Sequence, residues 1–137
     1  ARPYTIIGQG EQPEHLIPVL INSCLWGKEM PLVERPVHDY IDVEDVIKAL
    51  LTIARKGKFN GEVYEIGTGN QLTNRKIKEI VEKTLGVKAN TKLVKEVRKY
   101  DTTKWKANNF KLRRLGWKPK LSLEETIKSM ISDYLPM

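Results

Sequence analysis

Arg98 and Asp101, three residues apart in the most basic stretch of a 137-residue chain, are the side chains best suited to ligand chemistry. A guanidinium offers a fork of donors that meets a phosphate in paired hydrogen bonds. A diphosphate needs such cations, together with backbone N–H groups at turns. The same two residues as an exposed ion pair would contribute little. Other chemistries find less support. Gly8-Gln9-Gly10 and Gly67-Thr68-Gly69 lack the third glycine, the leading Val/Ile-rich strand and the downstream acid of a dinucleotide fingerprint. His15 and His38 belong to no cluster with metal-ligand spacing, so no metal site is expected. No Ser-His-Asp or Cys-His arrangement can be assembled for nucleophilic catalysis.

The charge distribution suits an anionic ligand. The chain carries +7 overall, yet residues 88–120 hold 12 Lys and Arg against 2 acids, which leaves the remainder slightly acidic. A segment of this kind can bind nucleic acid, an acidic partner or a small polyanion, or can be a solvated lysine-rich surface. It has no recognition-helix, zinc-finger or RNA-recognition signature, and its aromatics are not regularly interleaved with its bases, which argues against nucleic acid. A small basic nucleic-acid-binding or interaction domain stands as the alternative reading. Hydrophobic residues at 40% and charged residues at 30% are ordinary for a globular chain. Residues 1–137 therefore read as one domain with a real core. No run approaches the ~20 apolar residues of a bilayer span, so no membrane partner is expected. Cys24 stands alone on an apolar helical stripe and reads as a buried thiol, which fits a reducing, cytoplasmic setting.

The elements that must position these groups follow from periodicity and caps. Leu16, Ile17, Leu20, Ile21, Cys24 and Leu25 predict a helix ended by Gly27. Met30 to Val33 is a short apolar piece, and Tyr40-Ile41 a brief strand. Asp42 is placed as an N-cap, with Asp45 at the position of a capping-box acid, and both read as caps rather than ligands. Val43, Val46, Ile47, Leu50, Leu51 and Ala54 then form one apolar helical face. Val63 to Ile66 predicts a strand leaving through the 67–70 turn. Thr73 caps a helix carrying Ile77, Ile80, Val81 and Leu85 and stopped by Gly86. Thr91 to Val94 could be a strand. Asn108 opens a short helix ended by Gly116, and Ser122-Leu123-Glu124-Glu125 is a full capping box before Ile127, Met130, Ile131 and Tyr134. Trp117 reads as a core plug; Trp105 could line a pocket.

Three junction segments carry a resemblance: residues 38–46, residues 63–69, and Asn108-Asn109-Phe110-Lys111 leading into Leu115-Gly116-Trp117-Lys118-Pro119. Together they resemble the C-terminal half of the extended short-chain dehydrogenases that act on nucleotide sugars, the epimerase/dehydratase family. The family reads Arg-x-x-Asp, then Asp/Asn-x-Ser-Lys and Leu-Gly-Trp-x-Pro; here these match Arg98, Asp101, Asn108, Lys111 and residues 115–119. The match implies that Arg98 meets a diphosphate and Asp101 the ribose or base side. Residues 38–45 resemble Arg-Asp-Tyr/Phe-Ile-x-Val-x-Asp, which implies that Tyr40 lines the sugar-nucleotide pocket. His38 replaces the family's second diphosphate-binding Arg, and Arg35 is a possible substitute. Residues 2–8 are similar to Arg-Pro-Phe-Asn-Val-Tyr-Gly, with Thr5 where an Asn hydrogen-bonds sugar or phosphate and Ile7 in place of Tyr. The family's longer glycine-bearing hairpin is shortened between Leu32 and His38.

The resemblance implies an α/β fold: a small mixed domain of helices with short strands, the C-terminal portion of such an enzyme, with the N-terminal Rossmann half absent. Residues 1–8 would be the tail of a Rossmann strand, and the start at Ala1 reads as a cut through a longer protein. Tyr100 and Lys104 fit Tyr-x-x-x-Lys, but the family's catalytic pair lies on a helix upstream of the first strand seen here, so this pair is read as a decoy. The expected site is therefore substrate-binding only (Arg98, Asp101, Tyr40, His38 and Thr5), with no catalytic or cofactor-binding residue in the chain. NAD or NADP would be bound mostly outside it. The implied partners are a nucleotide-diphosphate sugar and the missing Rossmann domain, with a homodimeric full enzyme left open. Which nucleotide, which sugar and which reaction are not fixed by these residues.

Overall fold

Leu20 and Ile21, fully buried, lie on the apolar stripe of α1 (Leu16–Trp26), the helix around which the larger core is built. The computed structural model describes residues 1–95, 99 and 101–135. The remaining helices are α2 (Val43–Lys56), α3 (Asn74–Leu85), α4 (Phe110–Arg114) and α5 (Leu123–Ile131). Short strands connect them: β1 (Arg2–Pro3), β2 (Thr5–Ile7), β3 (Met30–Leu32), β4 (Val37–His38), β5 (Tyr40–Asp42), β6 (Glu65–Ile66), β7 (Leu72–Thr73) and β8 (Thr91–Leu93). The architecture is mixed α/β, with helices and short strands interleaved along the chain.

The strands form four pairs among the described residues. Three are parallel: β1 with β6, β2 with β5, and β3 with β8; β4 and β7 run antiparallel. Parallel partners need a crossover, and here each crossover contains at least one helix. β1 and β2 are consecutive and diverge at Tyr4. Arg2 N–H and Tyr4 N–H donate to the β6 side, at Tyr64 O and Ile66 O, while Thr5 N–H donates to Asp39 O beside β5. One extended segment thereby holds both later strands in register.

Side chains of β5 alternate between two cores, as a strand requires. Tyr40 packs against the larger core, which joins α1, α3 and α5 through Ile17, Leu20, Ile77, Val81, Ile127 and Met130. Ile41 belongs to the smaller core, with Val46 and Ala49 of α2, Ile66, Leu112 and Trp117. Each fully buried aliphatic side chain here contributes about 1.5–3 kcal/mol relative to exposure. Trp117 plugs the smaller core as expected, and its indole N–H donates to Asp45 O at 3.1 Å. Cys24 is a buried free thiol that donates to Val87 O, and burial pushes its pKa up.

Two expectations are corrected at α2. The residues that face the core are Asp45, Val46 and Ala49, with Ile53 beside them, while Val43, Ile47, Leu50 and Leu51 are exposed. The 46/49/53 stripe meets β5, β6 and α4; the adjacent apolar stripe is left partly open to solvent. Nor is there a capping box. Asp42 caps α2 by accepting from Glu44 N–H, whereas the buried Asp45 carboxylate accepts from Lys120 N–H and Leu121 N–H, 2.8 and 2.9 Å away. Asp45 thus brackets the approach to α5 rather than its own helix end. Asp42 also accepts from Thr126 Oγ1 of α5 at 2.7 Å, stitching the two cores together.

The capping box at Ser122 is present in full. Ser122 Oγ accepts from Glu125 N–H, and Glu125 Oε2 accepts from Ser122 N–H at 2.7 Å. Ser122→Ala should therefore destabilise the domain by ~1 kcal/mol, read as a lowered urea midpoint at unchanged m-value. An unchanged midpoint would mean that α5 does not depend on its cap.

Candidate functional site

Asp39 organises the site. It is fully buried between β4 and β5, and a buried carboxylate is tolerated only when its oxygens are supplied with donors. One oxygen accepts from Thr68 N–H at 2.9 Å and Thr68 Oγ1 at 2.5 Å; the other accepts from Gly69 N–H at 2.9 Å and Ala107 N–H at 3.0 Å. The turn after β6 and the segment before α4 are thereby drawn onto one side chain. Gly67 must be glycine, because a Cβ there would fall 2.5 Å from Ala107 Cβ and 2.9 Å from Asp39 Oδ2. Gly69 supplies the left-handed backbone, φ +82°, that aims its N–H at the carboxylate. Asn109 adds a second link by donating to Gly67 O and accepting from Arg113 Nε, both at 2.8 Å. Glu65 adds a third, accepting from Asn108 N–H at 2.6 Å and Tyr4 OH at 3.1 Å.

This clamp fixes the course of residues 101–109. Val37 N–H donates to Thr102 O at 3.2 Å, and Trp105 N–H donates to Gln71 Oε1 at 2.9 Å. Asp101 is carried alongside β4 and faces a cleft of about 790 Å³. Its inner wall holds His38, Tyr40 and Asp101, with Met30, Leu32, Val33 and Asn74 around them and Glu14, Lys28 and Glu29 at the exposed rim. Asn74 donates to Val33 O, while its own carbonyl oxygen is buried without a partner. The cleft is large enough for a nucleotide-sized ligand and offers apolar walls with a few polar groups.

The electrostatics are uneven. Burial lowers the His38 pKa below its ordinary value, and the nearby Asp101 charge works against that. Burial raises the Tyr40 phenol, and the charge of Glu11 adds to the effect, so Tyr40 stays neutral in the cleft wall. The Tyr40 ring lies 5.7 Å from the imidazole of His38. Thr5 Oγ1 sits 3.4 Å from His38 Nδ1, so Thr5 touches the site through the imidazole. Four of the five residues singled out from sequence are thus gathered: His38, Tyr40 and Asp101 in the wall, and Thr5 behind His38. Arg98 lies outside the described residues, as does Tyr100 of the decoy pair. Arg35, the alternative cation, is exposed and does not line the cleft. Trp105 packs against Tyr4, with ring centroids 5.4 Å apart and planes tilted by 58°, and does not line the cleft.

The structural organisers Asp39, Glu65 and Asn109 were missed by sequence reasoning. The one available signal for Asp39 was a carboxylate between two wall residues of an apolar strand, 28 to 30 positions before a Gly-Thr-Gly turn rich in free N–H groups. The glycine turns do not fit a dinucleotide diphosphate. Thr68 N–H and Gly69 N–H are committed to Asp39, and Gly10 N–H donates to Asp133. Among the described residues no group of three or more His, Cys, Asp or Glu could hold a metal, and no helix is long and apolar enough to cross a membrane.

Comparison with known proteins supplies the relatives. The family model described as GDP-mannose 4,6 dehydratase matches residues 6–130. The chain is 32% identical over 131 residues to the low-salt glycan biosynthesis protein Agl12 of Haloferax volcanii, covering 93% of this chain and 42% of that protein. It is 32% identical over 134 residues to dTDP-glucose 4,6-dehydratase of Escherichia coli, covering 90% and 37%. Among solved structures, dTDP-glucose 4,6-dehydratase of Bacillus anthracis in complex with NAD superposes with a TM-score of 0.84 at 29% identity, covering 97% of this chain and 43% of that one. UDP-glucose 4-epimerase of Thermotoga maritima with UDP-glucose gives 0.85 at 27% identity, covering 97% and 44%. The chain spans about two fifths of the length of the curated relatives it matches. Its fold corresponds to the C-terminal part of the epimerase and dehydratase structures.

The Asp39 clamp generates a stability prediction. Asp39→Asn keeps the shape but turns an amide N–H₂ toward two N–H donors and removes the charge. It should destabilise the domain by about 3 kcal/mol, the scale of charge-assisted hydrogen bonds lost together with buried donors left unpaired. Urea unfolding measures this, and a loss under about 1 kcal/mol would show that the junction is held by other contacts.

Proposed function

Because the chain belongs to the GDP-mannose 4,6 dehydratase family, we propose that it is the substrate-binding portion of an NAD(P)-dependent nucleotide-sugar epimerase or dehydratase, gripping the nucleotide diphosphate in the 790 Å³ cleft. The observation that carries this reading is the convergence of His38 and Tyr40, from the β4–β5 stretch, with Asp101, more than 60 residues later, on one cleft wall. In this reading Arg98 and His38 meet the diphosphate, Asp101 accepts from the ribose or base, Tyr40 flanks the sugar nucleotide, and Thr5 orients the imidazole. Binding energy from the nucleotide, remote from the reacting carbon, positions the sugar for chemistry elsewhere in the enzyme.

The cofactor belongs to the same proposal. The neighbours solved with NAD are longer chains, and the glycine turns of this chain spend their N–H groups internally. NAD or NADP would therefore be held by a Rossmann domain of a longer protein that also supplies the catalytic pair. The exposed stripe of Val43, Ile47, Leu50 and Leu51 on α2 supports such a covering domain, since it is an apolar surface of the kind an interface buries. A reducing, cytoplasmic enzyme, with a homodimeric full form as one arrangement, fits the lone buried Cys24 thiol.

Two outcomes are expected. The 137-residue chain alone should turn over no UDP-, dTDP- or GDP-sugar with NAD or NADP; measurable turnover would revive Tyr100 and Lys104 as a catalytic pair. Arg98→Ala should weaken binding of a nucleoside diphosphate by ~1.5–3 kcal/mol while leaving the weak binding of the bare nucleoside unchanged. Isothermal titration with both ligands reads the difference. Equal weakening of both, or of neither, would remove Arg98 from the diphosphate site.

A further inference from the structure

Resting on the reading that the cleft takes a diphosphate, we infer that His38 makes the grip on that anion depend on pH, holding it as imidazolium and releasing it as neutral imidazole. The geometry carries the argument. His38 is half-buried at the end of β4 in the inner wall of the cleft, with Tyr40 as its ring neighbour. The described lining residues bring one permanent cation, Lys28, against the carboxylates of Glu14, Glu29 and Asp101. Lys28, Glu14 and Glu29 stand at the exposed rim, where solvent weakens their effect. Inside the wall the titrating imidazole lies near Asp101, so its protonation adds a positive charge to the surface that meets a diphosphate.

The neighbours of His38 permit both protonation states. β2 contributes Thr5, whose hydroxyl can donate to a bare Nδ1 or accept from an Nδ1–H without moving the strand. β5 contributes the neutral Tyr40 phenol, β7 contributes Leu72 as the register partner, and the segment before Trp105 contributes Asp101. Asp101 is the charged group acting on the imidazole among the described residues. Burial alone holds the free imidazole largely neutral at neutral pH, against the pull of Asp101. An arginine at this position would be charged throughout; a histidine is charged only when proton or ligand makes it so.

The sign follows from linkage. A bound diphosphate raises the His38 pKa from its depressed value in the free chain. Affinity is then flat below the free value, falls by up to about tenfold per pH unit between the two values, and is flat again above the value in the complex. Lower pH within that window tightens binding.

The test is calorimetric titration of the 137-residue chain with UDP-glucose, dTDP-glucose and GDP-mannose from about pH 5.5 to about pH 8.5. These diphosphate diesters carry a constant charge across that range, so any proton uptake belongs to the protein. Wild type should bind about tenfold more weakly at the alkaline end. His38→Arg should bind tightly with no pH dependence, and His38→Gln weakly with none. In wild type the His38 imidazole resonance should titrate at higher pH with ligand than without, a reading independent of whether either variant folds. Binding that is flat with pH in wild type, or a pH dependence that survives in His38→Gln, overturns the inference and leaves the cleft reading standing. Failure of all three sugars to bind at any pH overturns the cleft reading, and the inference with it.

Discussion

A single buried carboxylate sets the geometry of this chain. Asp39 has no exposure to water, and its two oxygens take four protein donors from two distant segments. A buried ion without partners costs several kcal/mol, so the fold is bound to bring Thr68, Gly69 and Ala107 to it. The cleft is a consequence. Once Ala107 is pinned beside β5, the chain between residues 101 and 107 has to pass along β4, and Asp101 comes to face His38 across the cavity wall. Strand pairs of two or three residues would not enforce this alone; each is far too short to be stable by itself.

What was legible in the sequence was local. Ser122 with Glu125, Thr73 as an N-cap, and the α1 stripe ending at Gly27 all appear where spacing put them, because each is decided within one or two turns of helix. What was not legible depends on contacts across the chain. The apolar residues of α2 announce a helix, yet Val46 and Ala49 are buried and Ile47, Leu50 and Leu51 are not, since the packing partners β5, β6 and α4 are chosen by tertiary structure. Asp45 has the spacing of a capping-box acid but serves backbone N–H groups at residues 120 and 121, 75 and 76 positions away. Of the candidate site, His38, Tyr40 and Asp101 were visible through motif resemblance; Asp39 stands in the same motif, but its role as a clamp was not visible, because nothing local distinguishes a clamp from a surface acid.

The family relationship and the cleft bear on each other through His38. Membership in the GDP-mannose 4,6 dehydratase family rests on residues 6–130, nearly the whole chain. Within that frame the cleft wall carries the His38 imidazole near the Asp101 carboxylate, and the rim is mostly acidic. In the function proposed above, diphosphate recognition would lean on Arg98 and on the protonation of His38, and less on bulk positive charge. The basic segment 88–120 is partly occupied at home: Lys88 pairs with Glu82, Lys111 with Glu62, and Arg113 donates to Asn109. That internal use weakens the case for a nucleic-acid surface and leaves a small anion as the better match to the charge.

The most direct test of the account is a residue-resolved NMR titration of the chain with UDP-glucose, following every backbone amide. The account requires saturable shifts concentrated in the cleft, at residues 28–33, His38, Tyr40, Asn74 and Asp101, with the Asp39-bound amides of Thr68, Gly69 and Ala107 little changed, because that clamp is already formed without ligand. Shifts that instead spread over Lys111, Arg113 and Arg114 without saturating, or that are absent from the cleft altogether, would contradict it.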